Sequence, residues 1–310
     1  MSMNGSGSQK EKTNVSVSLL QPSLNITKLG IVSRNYCNKI GDDGKRDFSP
    51  ILKEVLELLD NKKCDAVLFS LFSIPGKDYY DPIPAFKGLQ SINAVFIETF
   101  KDNVTDRFNS KEIAIEREYI RYKVYHKGPS GEWSEYPFDQ VFGTLQDMPK
   151  GGIEKFVKDD MPKRMMGNCC VLLCGESNGV KYSKENKIVE DTFKLRQSIQ
   201  DANINIILNP IHDRMTRFEM PLKRQFLSKN KRWVISVWNK GKKNKKGLIR
   251  DGEKPAWMVF FNGIEVVVDP IVNDYGVEVG ILELDIRKYK LENGQKPSEG
   301  NDTVYIPIKR

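Results

Sequence analysis

The sequence predicts an α/β protein whose sheet material is covered by helices on both outer faces. Three observations predict it. Apolar runs of strand length alternate with segments of helical periodicity through most of the chain. From residue 256 onward strand-like runs follow one another without helices, which adds a more antiparallel portion. After about residue 25 no stretch has the composition of a linker, so residues 26–290 read as one domain between a tail at 1–25 and an extension at 291–310.

Taken in order, 28–36 ("KLGIVSRNY") reads as a strand. Residues 48–61 ("FSPILKEVLELLDN") carry apolar residues at helical spacing, with Ser49 as N-cap and Pro50 at the first helical position. Residues 65–72 ("DAVLFSLF") and 94–99 ("AVFIET") read as strands. Strands at 118–126 and 132–142 flank "KGPSG", a hairpin turn. The lysine-rich stretch 150–164 holds a short helix. A strand at 169–174 is followed by a helix at 191–201, a strand at 204–209, a helix at 217–230 and a strand at 233–238. Strands at 256–261, 264–269 and 277–285 close the series, and a last apolar patch lies at 304–308.

Composition bounds the function classes. The chain has 310 residues, of which 39 % are hydrophobic and 29 % charged. It has no run approaching the ~18 apolar residues of a membrane span. The first fourteen residues, MSMNGSGSQKEKTN, are polar and read as a disordered tail rather than a secretory signal. Five irregularly spaced cysteines argue against a disulfide framework and for a reducing compartment, so a cytoplasmic location is expected. The net charge is +8, and much of it sits in Lys240, Lys242, Lys243, Lys245 and Lys246. This run is read either as a polyanion contact or as a solvated loop; no RNA-recognition, helix-turn-helix or zinc-finger signature accompanies it. There is no glycine-rich phosphate loop and no GxSxG elbow.

Three of the five cysteines fall in "NCCVLLCGESNGV", residues 168–180. They lack CxxC spacing, the only histidines are His126 and His212, and adjacent strand residues point to opposite faces, so no metal site is expected. The unbroken apolar run "CCVLLC" suits a strand buried on both faces, with Cys169 and Cys170 as filling. Cys174 ends that run and is followed by Gly175, which permits a sharp turn, and by Glu176. Strand ends of α/β sheets are where ligands bind, so Cys174 reads either as a core residue or as a nucleophile.

Five stretches in order carry a resemblance to a known family: "KLGIVSRNY" with "ILKEVLELLDNKKCDAVLF", then "VLLCGESN", "INIILNPIHDR", "LKRQFLSKNKRWVISVWNKG" and "VVVDPIVNDYGVEVGILELDI". Together they resemble the nitrilase superfamily, the carbon–nitrogen hydrolases, over roughly residues 28–285. The resemblance implies an αββα sandwich of two mixed sheets flanked by helices, a homodimer or higher homo-oligomer, and no cofactor. It also implies hydrolysis of C–N bonds other than peptide bonds by a cysteine nucleophile, a glutamate base and a lysine that stabilises the tetrahedral intermediate.

Cys174 takes the nucleophile's place in this resemblance. The base does not appear where the family has it: Ser70 and Leu71 stand at the end of the second strand in place of proline and glutamate. Glu98, at the end of the next strand, is the nearest carboxylate of the right kind. Lys127 and Lys150 are the candidate lysines, and Glu176 is the candidate for a further acidic residue near the thiol. Two functions follow. One is a cysteine-dependent amidase with a rearranged base. The other is a catalytically impaired nitrilase-fold module that binds a partner protein or nucleic acid, by analogy with nitrilase-like domains beside reverse transcriptases in antiviral systems. A structure discriminates them by the groups it brings to the Cys174 sulfur.

Overall fold

A computed structural model describes residues 21–34, 49–71, 74–76, 81–101, 121–213, 215, 217–240, 255–274, 277–285 and 287. These residues form two mixed sheets packed face to face, with helices on the outside of each. The first sheet has the order β15 (Pro270–Asp274), β16 (Val277–Glu283), β1 (Lys28–Arg34), β2 (Ala66–Phe69), β4 (Ala94–Lys101), β5 (Arg121–Lys127) and β6 (Trp133–Phe138). The short β3 (Ile74–Gly76) pairs with the end of β4. The second sheet has the order β14 (Ile264–Val266), β13 (Trp257–Phe261), β12 (Trp233–Asn239), β11 (Ile206–Asp213), β8 (Cys169–Val171) and β7 (Met165–Met166). A separate hairpin joins β9 (Lys181–Ser183) to β10 (Ile188–Glu190).

Residue alternation builds the layers. Along β1, β2 and β4, the residues Leu29, Ile31, Ala66, Leu68, Ala94 and Phe96 point inward, against Cys169, Val171, Ile206, Leu208 and Ile235 of the second sheet. The opposite residues of the first sheet, including Val67, Phe69, Val95 and Ile97, face outward. There they meet Leu52, Val55, Leu56 and Leu59 of α1 (Ser49–Asn61) and Phe86 of α2 (Ile83–Phe86). On the far side of the second sheet, Cys170, Ile207 and Val234 pack against Ile153 of α3 (Gly152–Lys155), Ile199 of α4 (Leu195–Asp201) and Leu227 of α5 (Glu219–Ser228). This is the αββα sandwich that the sequence resemblance implies. Each such buried aliphatic side chain contributes about 1.5–3 kcal/mol over its exposed state.

The elements match expectation with informative shifts. The strand expected over 169–174 ends at Val171, and residues Cys174–Gly179 form a tight helical turn. The strand expected over 204–209 instead runs from Ile206 to Asp213. The late strands do not form one sheet. β13 and β14 extend the second sheet by antiparallel pairing on β12, whereas β15 and β16 return to the first sheet beside β1. The patch at 304–308 lies outside the described residues. Among the described residues no helix is long and apolar enough to cross a membrane.

Candidate active site

β2 and β4 run parallel in the first sheet, and β8, β11 and β12 run parallel in the second. Parallel strands end together, and these ends hold the candidate residues. β8 stops at Val171, and the chain passes through extended Leu173 into the turn that starts at Cys174, whose φ is +39°. A side chain in that region costs the backbone energy and persists only where the surroundings hold it. The positive φ thus falls on the cysteine itself. Gly175 serves a different need from the turn expected of it. A Cβ on Gly175 would stand 1.7 Å from the Gly143 carbonyl oxygen, so the glycine is there to let the backbone at 143 close over the turn.

Cys174 is half-buried against Ile211, Trp238 and Ala256. Its side chain neighbours the imidazole of His212, which lies near the end of β11, where the register with β12 shifts between Pro210 and Asp213. The His212 Nε2 atom lies 3.5 Å from Oε2 of Glu98. Glu98 has the same parity on β4 as Ala94 and Phe96, so it points between the sheets, where it is 5 % exposed. Burial by itself would lower the His212 pKa. The neighbouring Cys174 and Glu98 overcome it and raise the pKa to about 9. A thiol, an imidazole and a carboxylate therefore stand in series, an arrangement that can take a proton from sulfur and return it to a leaving group.

The place at the end of β2 where the resemblance puts a carboxylate is closed. Ser70 Oγ donates to Asn239 Oδ1 at 2.7 Å, and Asn239 Nδ2 donates to the Leu71 carbonyl at 2.7 Å. Leu71 is fully buried in the inter-sheet core, and its N–H bonds the Ile211 carbonyl at 3.3 Å.

The other expected residues are placed elsewhere. Glu176 is fully buried, one residue beyond Gly175, and both of its oxygens are taken. Oε1 accepts the Val141 N–H at 2.7 Å, and Oε2 accepts the Leu173 N–H at 2.8 Å and an Arg164 guanidinium N–H. Burial pushes its pKa up, while Arg164 and the two backbone donors pull it down. Arg164 is fixed in turn by the Asp139 carbonyl at 2.6 Å and lies between the rings of Phe138 and Phe156. Glu176 thus braces the turn from within.

Lys127 bonds the Leu89 carbonyl at 2.6 Å and lies over Trp133, and its own N–H bonds Asn93 just before β4. Five residues of strand, about 16 Å, separate that end of β4 from Glu98. Lys150 is exposed in the turn before α3. Lys240 is 8 % exposed, and its ammonium is held by Glu278 at 2.9 Å. Lys242, Lys243, Lys245 and Lys246 lie outside the described residues. Cys169 and Cys170 face opposite sides of β8, in two different cores; burial pushes Cys169 far up and Cys170 to about 12.

Sequence reasoning weighed His212 only as a metal ligand. The usable signal was its position: it follows "INIILN", on the strand that comes next after the cysteine strand. In a parallel sheet that next strand lies beside it and ends at the same edge.

No family model and no curated relative matches the chain. Solved structures similar to it include an amidase from Nesterenkonia sp., with TM-score 0.44 and 12 % identity over 86 % of this chain and 94 % of that one. Nit3 of Saccharomyces cerevisiae, a member of branch 10 of the nitrilase superfamily, gives 0.43 and 10 % over 86 % and 93 %. The glutamine-dependent NAD+ synthetase of Acinetobacter baumannii gives 0.44 and 14 % over 90 % of this chain, which spans about half (49 %) of that longer one. These likenesses concern the chain path alone and assign no residue a role.

Proposed function

We propose that the chain is a divergent nitrilase-like hydrolase of C–N bonds in which Cys174 is the nucleophile, His212 its general base and acid, and Glu98 the group that orients and charges the imidazole. The observation that carries this reading is the His212 ring beside Cys174, with the buried Glu98 carboxylate at 3.5 Å from its Nε2. The sulfur's proton passes to His212 before the attack, and the imidazolium, favoured by its raised pKa, stands beside the sulfur as it bonds to the amide carbon. It then delivers that proton to the nitrogen as the C–N bond breaks, leaving a thioester and a free amine. With that proton given up and one of the two partners that raise its pKa converted to a thioester, the imidazole is neutral and can accept a proton from the water that hydrolyses the thioester.

Leu71 in place of the family's glutamate would by itself favour an impaired binding module, because a thiol without a base deacylates poorly. The imidazole at Cys174 favours the enzyme. The test is selective alkylation by iodoacetamide near neutral pH, followed by ammonia release from a panel of small amides and nitriles. The wild-type protein is expected to label at Cys174 faster than an ordinary thiol, with the label lost in Cys174→Ala and the rate lowered in His212→Asn. Ammonia release is expected to fall by about 10²–10⁴-fold in His212→Asn. Labelling at Cys174 that is no faster than that of a free thiol, or that is indifferent to His212→Asn, would overturn the reading.

A further inference from the structure

A basic cavity lies beside the turn that carries Cys174. A cavity of about 320 Å³ opens between the loop at 144–146, the β9–β10 hairpin and the start of α5. Its floor is Lys223, on α5, which is only 5 % exposed. The Lys223 ammonium donates to Asn178 Oδ1 at 2.8 Å, and Arg217 donates to the same oxygen at 3.3 Å. Two cations thus converge on one neutral amide. Among the described residues no carboxylate lies within ion-pair distance of Lys223, and Glu219 is drawn to Arg217 at 3.5 Å. The exposed Lys181 and Lys184 add positive charge at the rim. On the apolar side Tyr182 meets Phe218 edge to face, with ring centroids 5.3 Å apart, and Phe218 is 62 % exposed.

A buried ammonium with three protons and one neutral acceptor is costly to keep. Burial and the nearby Arg217 charge lower the Lys223 pKa to about 8, against a weaker opposing pull from Glu219. A methionine would fill the same space without that cost, so Lys223 as a purely structural strut is a poor explanation. An anion in the cavity would supply the missing acceptors.

We propose that this cavity binds an oxyanion, the phosphate or carboxylate of a small molecule, gripped by Lys223 and Arg217, with its less polar part against Tyr182 and Phe218. Asn178 belongs to the same turn as Cys174 and donates to the Gly143 carbonyl at 3.2 Å, so the occupant's grip bears on the turn that carries the thiol. The proposal stands whether or not Cys174 is a nucleophile.

Calorimetric titration of the full chain with inorganic phosphate and, separately, with succinate tests it. Saturable binding of at least one, weakened about tenfold or more in Lys223→Met and in Arg217→Gln and weakened by added salt, is expected. Which of the two binds tells phosphate from carboxylate. Arg217 has a half-exposed side chain, so its variant keeps the test open if Lys223→Met fails to fold. At pH 8, in two buffers of different ionisation enthalpy, binding is expected to take up a fraction of a proton in the wild type and none in Lys223→Met. No saturable binding of either probe, or binding that both variants leave intact, would overturn the proposal.

Discussion

His212 sits where burial opposes its charge, yet the neighbouring Cys174 and the carboxylate of Glu98 raise its pKa to about 9. A group whose pKa rises on folding stabilises the fold fully below its unfolded value, here 6.5, and loses that contribution as pH rises through about 9. Urea midpoints are therefore expected to fall between pH 6.5 and 9 in the wild type, and this decline is expected to shrink in His212→Asn. The chain has only two histidines. Burial lowers the pKa of the other, His126, against a weaker pull from Glu132. An NMR titration of imidazole protons should show one titrating below the ordinary range and one well above it. Glu98→Gln should bring the high one down and leave the low one in place; if the high one does not move, Glu98 is not what charges His212.

At the scale of elements, the turn at residues 174–179 is held in two ways. The Gly143 carbonyl packs where a Gly175 side chain would be. Glu176 ties Val141, Leu173 and Arg164 together. Gly175→Ala forces backbone to move against backbone and is expected to cost stability at the upper end of about 1–3 kcal/mol, with loss of rapid Cys174 labelling. Glu176→Gln leaves Arg164 buried without its counter-charge and is expected to cost about 3–5 kcal/mol in urea unfolding. The turn was legible in part. The Cys-Gly-Glu step off a strand end was visible in the sequence, but the roles within it were not. The left-handed residue is Cys174 rather than Gly175, and the acid bonds Val141, Leu173 and Arg164, because both depend on what the loop at 139–143 and Arg164 bring from elsewhere in the chain.

At the scale of the molecule, the candidate site exists because two sheets stack with their parallel strand ends at one edge. Glu98 comes from the first sheet, Cys174 and His212 from the second, and the three meet only across the sheet interface. Lys127 is at the other end of its own strand pair. Lys127→Met is accordingly expected to leave the iodoacetamide rate at Cys174 unchanged within about twofold, since a screened charge that far off contributes little; a large fall would show that the lysine acts at the site.

The sequence by itself determined the layers, because strand alternation and helical spacing are local patterns that survive without knowledge of neighbours. It also determined the cysteine worth watching and the absence of a carboxylate at Ser70 and Leu71. Tertiary structure alone decided what stands in for that carboxylate. Glu98 and His212 are separated by more than a hundred residues, and their partnership follows from the face each strand presents and the register at which the sheets pack. Neither quantity is encoded in any short stretch of the chain.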